Sequence, residues 1–387
     1  MYHNIQEAFS REFREMAQIC VAAPGRINLI GEHTDYNDGF VLPASIDKRI
    51  YAAFGRRSDN TIRMRSLNFD EVVEVNLEVI RPSVEFKWIN YILGVVAQIR
   101  QSGFAVSGFD MIIGGDVPIG GGLASSAAME CAVIYGLNEL FGLHISKLDM
   151  VRLTQKAEHE FAGVKCGVMD QFASLFGKKE RVIRLDCRSL SFEYCRIDLN
   201  GFKIALFDTH IKHSLGNSDY NVRREECEEG LSLIRRKYPY VESLRDVSLE
   251  QLDEIVLPRS KTLYKRCRYV VEENIRLNLG CLDLGKGHLG LFGKRMFDTH
   301  TGLSGLYEVS CMELDALVDI VKGNSAVIGA RMMGGGFGGC TVNIISESGL
   351  DDVVSLVREE YSRRFNQEPG IHIVNIDEGA TVLGGPN

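Results

Sequence analysis

The 387-residue sequence has no long apolar run, no basic charge excess and no apolar leader, and each absence excludes a class of protein. Uncharged stretches such as 332–346 are broken by glycine and are shorter than the roughly 18 to 20 apolar residues of a membrane helix. A net charge of -8 argues against partners such as nucleic acids or anionic membranes. The first twenty residues carry charges throughout, so we expect no signal peptide and a cytoplasmic protein.

The ten cysteines also lack a pattern, since they are scattered from Cys20 to Cys340 without a CxxC pair or metal-like spacing. Neither a zinc site nor a disulfide framework is predicted. Free buried thiols in a reducing compartment fit this usage better.

Length and composition predict a globular protein of two domains. Hydrophobic residues make up 45% and charged residues 25% of the chain, which is enough to bury a large core. A cleft between two domains is the default place for a ligand. Strand-like and helix-like segments mix without regular βαβ alternation, so the pattern favours an α+β fold. We place the boundary loosely near 194–200, which gives domains of 1–195 and 196–387.

Apolar periodicity predicts the main elements. Helices are predicted at 5–17, 87–101, 124–141, 147–161, 219–237, 268–277, 312–321 and 350–364, and strands at 50–54, 72–79, 111–113, 182–185, 203–207 and 341–345.

One block, PIGGGLASSAAME from Pro118 to Glu130, has the features of a phosphate-binding loop. Three consecutive glycines lead into small residues that open an apolar helix, so backbone N–H groups and the helix N-terminus can approach an anion. It is not a Walker loop, because no lysine precedes Ser125 and Ser126. Nucleotide charge would then be met by a metal, to which these hydroxyls could contribute. The alternative is a glycine-rich turn before a buried helix.

Two further blocks contain glycine or polar residues at high density. In APGRINLIGEHTDYNDG, residues 23–39, Arg26 and the polar side chains of Glu32, His33 and Asp35 lie among apolar neighbours. Carboxylates and a histidine in a loop suit the hydroxyls of a sugar, although a solvated turn is the alternative. MMGGGFGGCTV, residues 332–342, is more typical of a turn when taken alone.

Three other side chains are ambiguous from their sequence context. Asp170 is an acid among apolar residues in CGVMDQF, where it is either a structural acid or a general base. Glu158 on a predicted helix would ordinarily be solvated, and Tyr220 at a predicted helix start would ordinarily pack.

Together the three blocks resemble the GHMP kinase superfamily, and GRINLIGEHTDYNDG is similar to its galactokinase signature. The resemblance extends from about Pro24 to Thr341. It implies a fold with a ribosomal-protein-type N-terminal domain, a ferredoxin-like C-terminal domain and an active site between them. The implied activity is an ATP-dependent phosphotransfer to the anomeric hydroxyl of galactose, which yields galactose 1-phosphate and ADP and opens the Leloir pathway of galactose metabolism.

The resemblance also assigns roles to individual residues. Asp170 would be the base and Arg26 would stabilise the transferring phosphoryl group, while Ser126 and Glu158 would hold Mg²⁺. The sugar would be bound by Glu32, His33, Thr34, Asp35, Gly167 and Tyr220. ATP would be bound by Ser66, Gly120, Gly121, Gly122, Leu123, Ala124, Ser125 and Ser126.

One residue departs from the family pattern, since many galactokinases carry a third serine where this chain has Ala124. The expected partners are galactose and ATP, with no nucleic acid or membrane, and the family favours a monomer. The alternatives are a kinase for N-acetylgalactosamine, arabinose, galacturonate or mevalonate, or a catalytically silent sensor of galactose and ATP. A dinucleotide-dependent oxidoreductase lacks support, because no GxGxxG with a following acid is present.

Overall fold

The computed structural model describes residues 2–211 and 216–384. Within these residues the helices are α1 (Tyr2–Phe13), α2 (Ile89–Gln101), α3 (Ser125–Phe141), α4 (Lys147–Ala157), α5 (Met169–Phe176), α6 (Gly216–Arg235), α7 (Leu249–Ile255), α8 (Lys261–Gly285), α9 (Leu289–Gly302), α10 (Met312–Val321) and α11 (Leu350–Phe365). Across the described part of the chain, no helix combines the length and apolar character that crossing a membrane requires.

The strands are β1 (Ile19–Asn28), β2 (Phe40–Val41), β3 (Pro43–Arg56), β4 (Thr61–Ser66), β5 (Glu71–Asn76), β6 (Phe109–Gly115), β7 (Arg181–Asp186), β8 (Phe192–Arg196), β9 (Phe202–Asp208), β10 (Val327–Met332), β11 (Cys340–Ser346), β12 (Gly370–Val374) and β13 (Thr381–Gly384). They form a six-stranded sheet in the order β13-β1-β3-β6-β4-β5, a four-stranded sheet in the order β10-β11-β9-β12 and a three-stranded sheet in the order β2-β7-β8. Mixed sheets with helices confirm the predicted α+β class.

The six-stranded sheet is covered by helices on both faces, which explains why β1 is buried almost throughout. Cys20 and Ala53 pack with Phe9 of α1. Their neighbours Val21 and Ala52 belong to the main core, which includes α3 and α5. Alternate residues of a strand point to opposite faces, so a strand buried on both sides carries a nearly continuous apolar run.

The four-stranded sheet is covered in the same way, and all of its strand pairs are antiparallel. Ala205 of β9 and Ile345 of β11 pack against α10 and α11, whereas Ile204 and Ile344 face the main core. This second face connects the core of the second half to that of the first.

The long periodic helices agree with the sequence predictions, but several elements were missed. The first helix ends at Phe13 rather than continuing to 17. The elements that were not predicted are β1, β2, β4, β8, β10, β12, β13, α5, α7 and α9. The predicted boundary between 195 and 196 lies inside β8, and β13 returns to pair with β1. The division into domains of 1–195 and 196–387 stays a prediction.

Candidate active site

A cavity of about 400 Å³ brings parts of all three sequence blocks together. Its lining residues from the first block and from the segment around Asp170 are Arg26, Glu32, His33, Asp35, Glu158, Val164, Cys166, Gly167, Met169 and Asp170. The others are Gly120, Gly122, Ile211, Tyr220, Met333, Gly334, Gly335, Gly336, Phe337, Gly338 and Gly339. The third block, which favoured a plain turn, therefore forms one wall.

Arg26 and Asp170 form a two-pronged ion pair in this cavity. Arg26 is on β1 and only 5% exposed, and Asp170 is in the first turn of α5. Arg26 Nε donates to Asp170 Oδ1 at 2.7 Å and Nη2 donates to Oδ2 at 2.8 Å. Nη1 donates to the carbonyl of Gly122. Burial lowers the pKa of Arg26, but the neighbouring Asp170 and Glu32 outweigh it and raise the pKa overall.

Gly25 allows the glycine segment, residues 120–126, to approach β1 beside Arg26. The Arg26 N–H donates to the Leu123 carbonyl at 3.1 Å. A Cβ at Gly25 would lie 2.7 Å from the same carbonyl oxygen, so a side chain would push the segment away. Leu123 is buried at 1% exposure and anchors the segment through its side chain.

The carboxyl group of Asp35 has a raised pKa in the cavity. Burial, followed by the charges of Asp170 and Glu32, raises the pKa of Asp35 to about 7. A Cβ at Gly167 would collide with the carboxylate of Asp35, so only glycine leaves that carboxylate in place. The structure thus joins two residues that are more than a hundred positions apart.

Glu32 is fixed by the second half of the chain. Its Oε1 accepts from Arg331 Nη2 at 2.9 Å and from the N–H of Gly334 at 2.8 Å. Burial raises the pKa of Glu32, but Arg331 and Arg26 outweigh it and lower the pKa overall. Thr34 does not line the cavity, because its hydroxyl contacts the carbonyls of Gly31 and Phe40 within the loop at 2.9 and 2.5 Å.

His33 and Tyr220 form an aromatic side of the cavity. His33 has a positive φ of 62° and is 3% exposed. Its ring centroid lies 5.3 Å from that of Tyr220. Burial lowers the pKa of His33 to about 4, so the imidazole is neutral at physiological pH.

The glycine segment ends where α3 begins. Gly120 and Gly122 have positive φ angles of 79° and 73°, and Ala124 lies at the N-cap with φ 57° and ψ 45°. Alanine has no polar side chain to cap the helix, so the first N–H groups of α3 are available to an anion. Gly121 sits between this segment and the second half of the chain, with Asp208 Oδ2 within 3.4 Å of a Cβ built there.

A second cavity of about 350 Å³ lies on the other side of this segment. Ser66, Ser125 and Ser126 line it, as predicted nucleotide contacts would. The aromatic rings of Phe69 and Trp88 also line it and stack with their centroids 6.1 Å apart. Gly120 lines both cavities, so the two are adjacent across the glycine segment.

Ser126 and Glu158 meet at the edge of these cavities. Ser126 Oγ donates to Glu158 Oε1 at 3.2 Å, and Gln171 Nε2 donates to Oε2 at 2.8 Å. Glu158 begins a π-helical turn, Glu158–Ala162, and is 6% exposed rather than solvated. Burial, then the charge of Asp170, raises the pKa of Glu158 to about 7. Groups of three or more His, Cys, Asp and Glu side chains that could bind a metal do not occur among the described residues.

Family models match three parts of the chain. They are the galactokinase galactose-binding signature at residues 7–56, the GHMP kinases N terminal domain at 90–178 and the GHMP kinases C terminal at 282–363. A galactokinase of Thermotoga maritima is 40% identical and covers 94% of this chain and 99% of its own length. A galactokinase of Clostridium beijerinckii is 39% identical, with 98% of both chains covered.

The chain belongs to the galactokinase family of GHMP kinases.

A solved galactokinase supports the same family. The crystal structure of Lactococcus lactis galactokinase complexed with galactose is 34% identical, has a TM-score of 0.93 and covers 97% of this chain and 98% of its own. A mevalonate kinase at 17% identity and a TM-score of 0.66 shares the fold alone. The predicted GHMP kinase fold is confirmed.

Several residues that line or support the cavities of this galactokinase-family chain were not predicted from the sequence. Phe69, Trp88 and Tyr91 of the second cavity lie in segments without a motif. Arg331 is an arginine in an otherwise apolar strand that precedes the third glycine block, and this contrast was the available signal. The glycines that follow Arg331 line the polar cavity.

Proposed function

We propose that this chain transfers the γ-phosphoryl group of ATP to the anomeric hydroxyl of galactose, giving galactose 1-phosphate and ADP. The carrying observation is that the two cavities meet at the glycine segment, with the Arg26–Asp170 pair on the side of the polar cavity. This arrangement has room for a nucleotide on one side and a sugar on the other. Relatives named galactokinase cover nearly the whole chain.

ATP would occupy the second cavity and the glycine segment. The stacked rings of Phe69 and Trp88 provide an apolar surface for a base. From there the phosphates would pass along 120–126, where free N–H groups at the start of α3 and the hydroxyls of Ser125 and Ser126 can donate to them. The γ-phosphate would then face Arg26.

Galactose would occupy the polar cavity. The carboxylates of Glu32 and Asp35 can accept from sugar hydroxyls, and Tyr220 gives the sugar an aromatic surface. Gly167 leaves room beside Asp35. Thr34 would act indirectly, because its hydroxyl holds the loop that carries these groups.

Arg26 and Asp170 would carry the chemistry together. Arg26 already points its guanidinium at the glycine segment through Gly122, so it can stabilise charge on the transferring phosphoryl group. Asp170 would accept the proton of the anomeric hydroxyl. Both of its oxygens accept from Arg26, which fixes the orientation of the carboxylate in the cavity. A loose transition state makes a small demand on the base, because the nucleophile needs little activation.

Ser126 and Glu158 fit a magnesium ion by the chemistry of their donors. A hydroxyl and a carboxylate oxygen 3.2 Å apart beside the glycine segment match an ion that uses one or two protein oxygens and the phosphates of its substrate. When bound, Mg²⁺ would neutralise phosphate charge. Glu158 would be ionised beside such a cation, although burial and Asp170 raise its pKa to about 7 in the protein alone.

We also infer that the enzyme is a cytoplasmic monomer, as the family resemblance implies. Light scattering on the purified chain would test whether it is a monomer. A mass of two or more chains at micromolar concentration would contradict it.

Measuring ADP formation from ATP with and without galactose tests the proposed function directly. We expect galactose to stimulate ADP formation, with galactose 1-phosphate as the product. N-acetylgalactosamine, arabinose, galacturonate and mevalonate form the comparison panel. Faster turnover of a panel member than of galactose would reassign the substrate. Binding of galactose and ATP without turnover would identify a silent sensor.

A further inference from the structure

A chain of buried hydroxyl, imidazole and thiol groups extends from the sugar cavity into the second half of the protein. His33 Nδ1 lies 2.7 Å from Tyr36 Oη, and Tyr36 Oη lies 2.8 Å from Tyr307 Oη. Tyr307 Oη lies 3.3 Å from Cys227 Sγ. His33, Tyr307 and Cys227 are nearly or fully buried, and Tyr36 is half-buried. Water therefore has little access to these groups, and each must find its partner within the chain.

The free end of this chain is His33 Nε2. This atom is buried and forms no hydrogen bond of normal geometry with the residues that the structure describes, while the backbone of Gly335 also interacts with the His33 ring. His33 lines the polar cavity, so a ligand in that cavity can reach its ring. Neutral imidazole is a donor at one nitrogen and an acceptor at the other. The state of Nδ1 therefore decides what Nε2 offers to the ligand.

The geometry favours one direction for the hydrogen bonds. A separation of 2.7 Å lies at the mode for a hydroxyl donor and at the short end of the range for an N–H donor. An unprotonated imidazole nitrogen is also a better acceptor than a phenol oxygen. Tyr36 then donates to His33 Nδ1 and accepts from Tyr307, and the thiol of Cys227, which also contacts the Asn37 side chain, donates to Tyr307. In the opposite direction a phenol hydroxyl would donate to sulfur, which is a weak acceptor.

We propose that Tyr36 and Tyr307 are positioning residues that hold His33 as the Nε2–H tautomer, so that the sugar cavity contains a hydrogen-bond donor opposite its carboxylate acceptors. This inference rests on the proposed galactokinase function. Glu32 and Asp35 accept hydrogen bonds from sugar hydroxyls. His33 instead donates a hydrogen bond to the oxygen of a sugar hydroxyl. A substrate must then present a hydroxyl oxygen as an acceptor at this side of the cavity, and one without it would bind more weakly.

Nitrogen-15 NMR of histidine-labelled protein without substrate tests the tautomer. The two ring nitrogens of neutral imidazole differ strongly in shift, and only one carries a proton. His33→Gln identifies the resonances among those of the nine histidines. We expect a protonated Nε2 and an unprotonated Nδ1 in the wild type. A protonated Nδ1 would overturn the proposal, and this readout is independent of any kinase activity.

Tyr36→Phe and Tyr307→Phe test the chain itself, because each removes only a hydroxyl. We expect Tyr36→Phe to release the tautomer, seen as a mixed pair of nitrogen shifts, and to raise the galactose KM about 5- to 10-fold with kcat within about twofold. Tyr307→Phe should act in the same direction and less strongly. Tyr361→Phe is the matched control, since Tyr361 is fully buried and its hydroxyl donates to the Thr209 carbonyl at 3.1 Å.

The outcomes separate this inference from the proposed function. Wild-type protein that phosphorylates galactose and shows an unchanged tautomer and KM in Tyr36→Phe would overturn the chain and keep the kinase. Protein that fails to phosphorylate galactose but shows the predicted shifts would keep the tautomer and overturn the substrate. If Tyr36→Phe does not fold, the wild-type spectrum and Tyr307→Phe still decide the matter.

Discussion

At the scale of single residues, the cavity contains two acids, Asp35 and Glu158, whose environment opposes their charge. Asp35 and Glu158 have their pKa raised to about 7, in both cases first by burial and then by Asp170. The Arg26 guanidinium forms its ion pair with Asp170 and not with either of these two acids. These two acids favour hydrogen-bond donors and cations as neighbours, which suits sugar hydroxyls and a metal.

Asp35→Asn should stabilise the protein without ligands while it weakens galactose binding. The pKa of Asp35 is higher in the folded than in the unfolded state, so the folded state binds more protons between about pH 4 and 7. Its contribution to the unfolding free energy is full below about pH 4 and is lost as the pH rises to about 7. At pH 8 the variant should gain roughly 1–3 kcal/mol.

Urea unfolding of the Asp35→Asn variant at pH 5 and pH 8, without metal or sugar, measures this difference. Asp70→Asn makes the same chemical change at a side chain that is 83% exposed and should show no such gain. A variant less stable than the wild type at pH 8 would contradict the raised pKa.

Asp170→Asn should lower kcat by roughly 10² to 10⁴ and change galactose binding much less, because the amide cannot accept the proton. Asp110→Asn is a matched control, since Asp110 also pairs with an arginine through two hydrogen bonds, from Arg63 at 2.9 Å each, and lines neither substrate cavity. Steady-state kinetics beside calorimetry distinguish the two effects. Turnover of Asp170→Asn within a few-fold of the wild type would leave Arg26 and the metal to carry catalysis.

At the scale of elements, the start of α3 contains a strained residue. Ala124 has the left-handed φ and ψ that residues other than glycine adopt at a cost of about 1–2 kcal/mol. Strain that persists beside a binding loop is consistent with a conformation that the surrounding contacts impose. The carbonyl of Leu123, bonded to Arg26, and the buried Leu123 side chain are two such contacts.

Ala124→Gly should therefore raise the free energy of unfolding by about 0.5–1 kcal/mol and retain kinase activity. Ala127→Gly, in the first turn of the same helix, should lower it by about 1 kcal/mol, because Ala127 is helical and glycine has a low helix propensity. Thermal unfolding of both variants measures the sign of the change in the free energy of unfolding. Destabilisation by Ala124→Gly would show that the left-handed conformation carries no penalty.

The π-helical turn that follows α4 carries the second element-scale prediction. It turns Glu158 inward toward Ser126, where a solvated helix surface was expected. Glu158→Gln should raise the Mg²⁺ concentration for half-maximal activity by about tenfold or more, since a neutral amide is a poor ligand for a hard cation. Glu160→Gln in the same turn is exposed and should leave that concentration unchanged. A Glu158→Gln enzyme with wild-type activity at limiting Mg²⁺ would exclude this ligand.

At the scale of the whole molecule, a buried arginine joins the two halves of the chain. Arg331 of β10 is fully buried, and its guanidinium donates to the carbonyls of Asn28, Leu29 and Met332 as well as to Glu32. Removing one partner of a buried ion pair leaves an uncompensated charge.

Arg331→Met should therefore destabilise the protein by about 3–5 kcal/mol. Combining it with Glu32→Gln should cost less than the sum of the two single changes, with a coupling of about 1 kcal/mol or more. Denaturant unfolding of the four proteins completes the cycle. Additive effects would mean that Arg331 acts on the backbone carbonyls alone.

The glycine blocks, Asp170 and the longer amphipathic helices were accessible from sequence because their signals are local. A run of glycines predicts a backbone that approaches a ligand, and an apolar period of 3.6 predicts a helix, whatever the rest of the chain does. The order of the three blocks was enough to indicate the family and the activity class. The role of Thr34 stays a prediction, and its hydroxyl contacts the carbonyls of its own loop.

Only the tertiary structure decided which distant groups meet and in what electrostatic state. The pairing of Arg26 with Asp170, of Gly167 with Asp35 and of Glu32 with Arg331 each joins segments 130 or more positions apart. No local pattern encodes such contacts, because they arise from the way α5, β10 and the turn of the third block pack against β1 and the loop that follows it. The raised pKa values follow from the same packing, since burial and neighbouring charge exist only once the chain has folded.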